Sequence, residues 1–130
     1  IDKSLRDLLN GIRYVSSAIV HLAYRGSEIH HPLDGFGFVV PRTEQRSIMA
    51  STWTSVKFAN RAPDNHVLLR VFVGGAKNEA ALELNDDEMV AMSRKELRDI
   101  MGIKADPLFT KVYRWEDSMP QYQIGHMERV

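Results

Sequence analysis

The chain has 130 residues, 44% hydrophobic and 26% charged, which suits one packed domain of ordinary size and argues against disorder. Lys+Arg and Asp+Glu number 17 each, so no cationic excess is available to displace phosphate counterions, and nucleic-acid binding is not expected. Cysteine is absent, which removes disulfides, thiolate nucleophiles and Cys-ligated zinc. No apolar run approaches the ~20 residues of a membrane-spanning helix. No secretory leader is visible, and a cytoplasmic location is expected.

Residues 1–11 carry Leu5, Leu8 and Leu9 at helical spacing and predict a short helix ending near Gly11. Residues 13–24 are rich in Tyr, Val, Ile and Ser and alternate only in part, which predicts a strand covered on both faces. Residues 26–34 form a loop, with Pro32 limiting strand pairing. Two strands follow at 36–41 and 47–54, joined across the polar run 42–46 as an antiparallel pair. Residues 60–65 contain Pro63 and read as a loop. The clearest strand is 66–73, dense in Val and Leu and stopped by Gly74-Gly75.

The clearest helix is 86–101. Met89, Val90, Ser93, Leu97, Ile100 and Met101 share one arc at 100° per residue. Asn85 suits the N-cap with Glu88 in capping-box position, and Gly102 suits a left-handed C-terminal residue. A last strand spans 108–115. The tail 116–130 reads as irregular until a helix begins near Gly125.

Consecutive strands without intervening helices make the fold class α+β. The expected architecture is an antiparallel or mixed sheet of about five strands, with one long helix packed on one face. Trp53, Phe72, Tyr113 and Trp115 are expected to give the other face an apolar surface, suited to a partner domain or a flat ligand.

Single motifs are uninformative. Gly35-Phe36-Gly37 lacks the third glycine and the following helix of a dinucleotide loop. Its glycines read instead as points where backbone approaches a flat ligand or enters a strand sharply. The five histidines have no ligand spacing, and the serines form no nucleophile elbow, so neither metal nor hydrolase chemistry is expected. Glu116-Asp117 reads as a solvated pair, and no catalytic residue is assigned.

In combination the runs are specific. Residues 12–18 (IRYVSSA), 35–41 (GFGFVVP), 62–75 (Ala62-Pro63 through HVLLRVFVGG) and 114–126 (Arg114-Trp115, then MPQYQIGH) occur in this order. The series resembles the protoporphyrinogen/coproporphyrinogen oxidase family over almost the whole chain, most closely its Gram-positive bacterial type. The resemblance implies an oxygen-dependent FAD enzyme of the flavin amine-oxidase superfamily. Such enzymes convert coproporphyrinogen III or protoporphyrinogen IX to the porphyrin in heme synthesis and release hydrogen peroxide. Residues 1–130 would then be one domain, the substrate-binding segment of a larger flavoprotein. Its FAD-binding and membrane or lid parts would lie elsewhere in the polypeptide, as the opening on Ile1 rather than Met also leads one to expect. Alone, the segment is expected to be inactive.

By the same resemblance, Phe36, Gly37 and Val39 flank the tetrapyrrole, Phe72 and Val73 form a second wall, and Trp115 contacts FAD. Aliphatic and aromatic walls suit a flat macrocycle, while the redox chemistry belongs to the flavin. Arg42, Lys57 and Arg70 are candidate partners for the propionates, with no choice made among them. Implied partners are the tetrapyrrole and the rest of the polypeptide, with peripheral membrane association of the complete protein. Phe38 stands where relatives differ, which leaves substrate preference open. Two alternatives remain: another flavin amine-oxidase relative, such as a carotenoid desaturase or amine oxidase, and a free-standing binding module without enzyme activity.

Overall fold

A computed structural model describes residues 2–76 and 78–129. Ile1 and Val130, which the sequence places in the first helix and the tail, lie outside the described residues.

The chain opens with α1 (Lys3–Asn10), capped by the Asp2 carboxylate, which accepts the Ser4 N–H at 2.9 Å. Five strands follow: β1 (Arg13–Arg25), β2 (Gly37–Val39), β3 (Ala50–Trp53), β4 (His66–Gly74) and β5 (Phe109–Gln121). They form one antiparallel sheet in the order β2-β3-β4-β1-β5. The helices α2 (Thr54–Lys57), α3 (Asp86–Met101) and α4 (His126–Arg129) complete the chain, with short 3-10 turns between elements. No helix among the described residues is long and apolar enough to cross a membrane.

Alternation assigns the two sheet faces. On β1, Ala18, Val20, Leu22 and Tyr24 are buried, and their neighbours Val73, Val71 and Leu69 on β4 are buried beside them. Met89, Ser93 and Leu97 of α3 are fully buried within the same core. On the other side Val15 and Ser17 are buried but Ile19, His21 and Ala23 are only half-buried, so β1 is covered on both faces near its start and on one face beyond it, not on both throughout as its composition predicts. Trp53 is also reassigned. It pairs with Leu69 on the helix side and lies in the core, with His31 packed edge-on at 5.1 Å.

The α3 boundaries agree with the sequence because its stop signals are local. Asn85 and Glu88 form a reciprocal capping box, and Gly102 adopts φ 71 at the end. Ile100, assigned to the buried arc from spacing, is exposed.

The largest departure is β5, which continues six residues past Trp115, to Gln121. Val15 pairs with Met119 and Ser17 with Trp115, so three residues of β5 oppose the single Ser16. The bulge places Asp117 at φ 40, and its N–H donates to Ser16 Oγ at 3.0 Å. Because β5 is an edge strand, Pro120 costs no ladder hydrogen bond on a second side.

Candidate functional site on the open sheet face

The face opposite α3 is crossed by three rows of paired residues. One row runs Val39, Ala50, Phe72, Ile19, Tyr113 from β2 to β5. The next runs Gly37, Thr52, Arg70, His21, Lys111. On the other side of the apolar row, Ser17 pairs with Trp115. Val39, Tyr113 and Trp115 are 79%, 50% and 52% exposed. A contiguous aliphatic and aromatic surface therefore faces away from the core, the kind of patch that a soluble domain rarely leaves uncovered.

Four of the six residues singled out from the sequence lie together on this face: Gly37, Val39, Phe72 and Trp115. Phe36 stands just before β2 at 64% exposure, and its carbonyl accepts the Trp53 N–H at 3.0 Å. Val73 is the exception. It pairs with Ala18 on the helix side and is 0% exposed, so it supports the wall from beneath without reaching the open surface. The period of two already separates Val73 from Phe72.

At Gly37 the backbone fits the second of the two roles its sequence offers, the sharp entry into a strand. It lies at φ 138, and a Cβ there would come within 2.1 Å of the Ser51 carbonyl oxygen and 2.8 Å of Thr52 Cα. The missing side chain lets β2 close on β3; no ligand is needed to explain it.

The cations in these rows are Arg70 and Lys111. The Arg70 guanidinium lies 5.6 Å from the centre of the Phe72 ring, and Lys111 Nζ lies 5.8 Å from that of Tyr113. His21 sits between them, edge-on to Tyr113 at 5.5 Å. Burial, and then the nearby Arg70 charge, hold its imidazole below the ordinary value, partly offset by a hydrogen bond with the Lys111 backbone. It is therefore neutral at pH 7. Of the other propionate candidates, Lys57 ends α2 beside the Phe58 ring and is not part of these rows.

Arg42 lies at a second feature, a cleft of about 630 Å³ at the end of the sheet. Val39, Arg42 and Arg46 line one side of it, with Gly75, Met119 and Gln121 on the others. Val39 belongs to both cleft and open face, so the two are continuous. The cleft wall is held by α3: Glu96, a buried carboxylate that the sequence reading passed over, accepts the Ser47 N–H at 3.1 Å.

The face suits a flat, largely apolar ring system with acidic side arms. Trp115 and Tyr113 offer ring-sized surfaces that fit the flank of an isoalloxazine such as that of FAD, while no glycine-rich diphosphate loop occurs in the sequence.

Residues 2–129 match the sequence family described as flavin containing amine oxidoreductase. The coproporphyrinogen III oxidase of Bacillus subtilis (strain 168) is 35% identical over 122 residues, covering 94% of this chain and 26% of that protein. That of Staphylococcus aureus (strain NCTC 8325 / PS 47) is 40% identical over 113 residues, covering 87% and 24%. A crystal structure from Exiguobacterium sp. 255-15, provisionally named a protoporphyrinogen oxidase, superposes with a TM-score of 0.79 at 29% identity over 93% of this chain and 26% of that one. The chain thus spans about a quarter of the length of the relatives it matches.

Proposed function

This chain belongs to the flavin containing amine oxidoreductase family, and from that premise we propose that it is the substrate-side domain of an FAD-dependent porphyrinogen oxidase. Residues 1–130 act as one domain. Its open sheet face covers a tetrapyrrole, and the rest of the polypeptide supplies the flavin site. The observation that carries the reading is the row Val39, Phe72, Ile19, Tyr113, an aliphatic and aromatic strip exposed at its two ends and half-buried between them, in a chain whose core is already closed on the other side.

The division of labour follows from the side chains. Gly37 keeps β2 tight against β3, so Val39 and Phe72 are held on a rigid sheet and not on a loop. Phe36 extends the wall beyond the strand, and Val73 packs beneath it. Trp115, at the end of the face beside the β5 bulge, flanks the flavin ring. When bound, FAD supplies the hydride acceptor, and its reoxidation by oxygen yields hydrogen peroxide. Among the described residues no Asp or Glu occupies a paired position of the face, so the domain positions the macrocycle and shields it from water. The complete protein works in the cytoplasm with peripheral membrane contact, and uses coproporphyrinogen III in preference to protoporphyrinogen IX. The sequence similarity to two coproporphyrinogen III oxidases supports that preference.

The test is porphyrin fluorescence and peroxide release by the complete polypeptide, offered each porphyrinogen under air. Flavin-dependent conversion above the autoxidation rate is expected, faster with coproporphyrinogen III. A flavin-loaded protein that converts neither substrate refutes the proposal.

A further inference from the structure

The rows of the open face differ in chemistry, and the difference identifies where acidic groups bind. Seven of the cations in the described residues, Arg6, Arg13, Arg25, Arg46, Arg94, Lys95 and Arg114, sit within reach of a carboxylate. Arg70 and Lys111 do not, and neither do Arg42, Lys57, Arg61 and Arg98, but Arg70 and Lys111 occupy paired positions of the open face, where both lean over aromatic rings of the neighbouring row. No Asp or Glu occupies any paired position on that face, from Gly37 and Val39 to Lys111 and Trp115. Arg70 Nε is buried and has no hydrogen-bond partner among the described residues, an unmet donor of the sort that a ligand satisfies.

We propose that Arg70 and Lys111 form a carboxylate-binding band that holds two acid side arms of a flat ligand whose ring lies on Val39, Phe72, Ile19 and Tyr113. The inference rests on the tetrapyrrole reading above and makes it specific: the ligand carries ionised propionates, and they point across the sheet toward β4 and β5, not toward Arg42 or Lys57. Arg70 and Lys111 are two strands apart with His21 between them, about 10 Å at the usual strand spacing. That separation suits two side arms of one macrocycle. Two like charges on a half-desolvated surface without counter-ions repel, and a doubly anionic ligand relieves that repulsion while gaining charge-assisted hydrogen bonds. Neutral His21 adds a hydrogen-bonding group without a third charge.

The experiment titrates the complete flavoprotein with coproporphyrin III and with its tetramethyl ester, following fluorescence quenching at low and high salt. Arg70→Gln and Lys111→Gln are each expected to weaken free-acid binding about tenfold, to flatten its salt dependence, and to leave ester binding unchanged. Arg70→Lys is expected to recover part of the loss. Lys111 is exposed, so its variant folds whether or not the Arg70 variants do. The assignment is overturned if the variants bind the acid as wild type does, or if they lose acid and ester alike. Wild-type protein that binds neither compound overturns the tetrapyrrole reading and this inference together; wild-type binding with unaffected variants overturns the band alone.

Discussion

Glu96 on α3 reaches across to the β2–β3 connection, where Oε1 accepts the Ser47 backbone N–H at 3.1 Å and Oε2 lies 3.4 Å from the Arg46 guanidinium. The carboxylate is buried, and Asp99 joins the same arginine at 3.8 Å. The contact fixes a connection that forms one wall of the cleft and leads directly to Val39. Glu96→Ala strands the Ser47 N–H and removes Arg46's nearest anion, at a cost of about 1–3 kcal/mol. Urea denaturation measures that cost, and faster amide exchange at Ser47 is expected with it. A variant with wild-type stability and unchanged exchange would show that the connection is held without Glu96, by the Asn78 amide on the Ser47 carbonyl and the backbone bonds of Val40 and Met49.

Leu97 and Ile100 separate two meanings of a helical apolar arc. Leu97 is fully buried among the β1 and β4 side chains, whereas Ile100 faces outward. Leu97→Ala is expected to cost about 2–5 kcal/mol through lost burial and the cavity left behind. Ile100→Ala is expected to stay within about 0.5 kcal/mol, as for other surface changes. Paired thermal melts decide the point, and equal losses would place Ile100 against a surface inside the core.

How legible each element was depended on whether its signals are local. The Asn85 and Glu88 side chains and Gly102 bound α3 without help from the rest of the fold, so its limits follow from sequence. β4 is equally readable, since Val67, Leu69, Val71 and Val73 alternate with the open-face residues. β5 beyond Trp115 was not, because an edge strand exposed on both faces has no alternation to detect, and Pro120 and Asp117 read as breakers. The bulge that admits them is set by pairing with β1. Glu96 was passed over because a charged residue on a helix ordinarily faces water, and only the distant Ser47 makes its burial sensible. At the site, resemblance located Phe72 but attached Val73 to it, although neighbours on a strand point to opposite faces.

Tyr24 gives the fold an alkaline limit. Its side chain is fully buried at the end of β1, and burial, only partly offset by Arg94, pushes the phenol up to about 12 from 10.0. The folded state therefore prefers the neutral phenol. This contribution is whole below pH 10 and is lost as pH rises toward 12. Stability measured in urea across that interval is expected to fall, and Tyr24→Phe to fall less steeply. Phenolate absorbance of folded protein provides the independent check, with one late step that disappears in the variant. Parallel pH profiles for the two proteins would show that other groups set the limit.

Gly37 distinguishes a ligand contact from a strand contact. If its role were to admit a flat ring, Gly37→Val would obstruct turnover and leave stability intact, as the motif suggests when read alone. The backbone at φ 138 and the 2.1 Å approach to the Ser51 carbonyl predict otherwise. Even Gly37→Ala must shift β2 away from β3, and the strain of that backbone region alone is about 1–3 kcal/mol. The expected result is a lowered Tm in the absence of any ligand, with faster exchange of the Trp53 amide, which donates to the Phe36 carbonyl next door. Displacing β2 also carries Val39 and Phe36 off the wall, so binding falls as a consequence of lost pairing. An alanine variant with wild-type Tm and impaired binding would restore the ligand-contact role and remove the strand-pairing one.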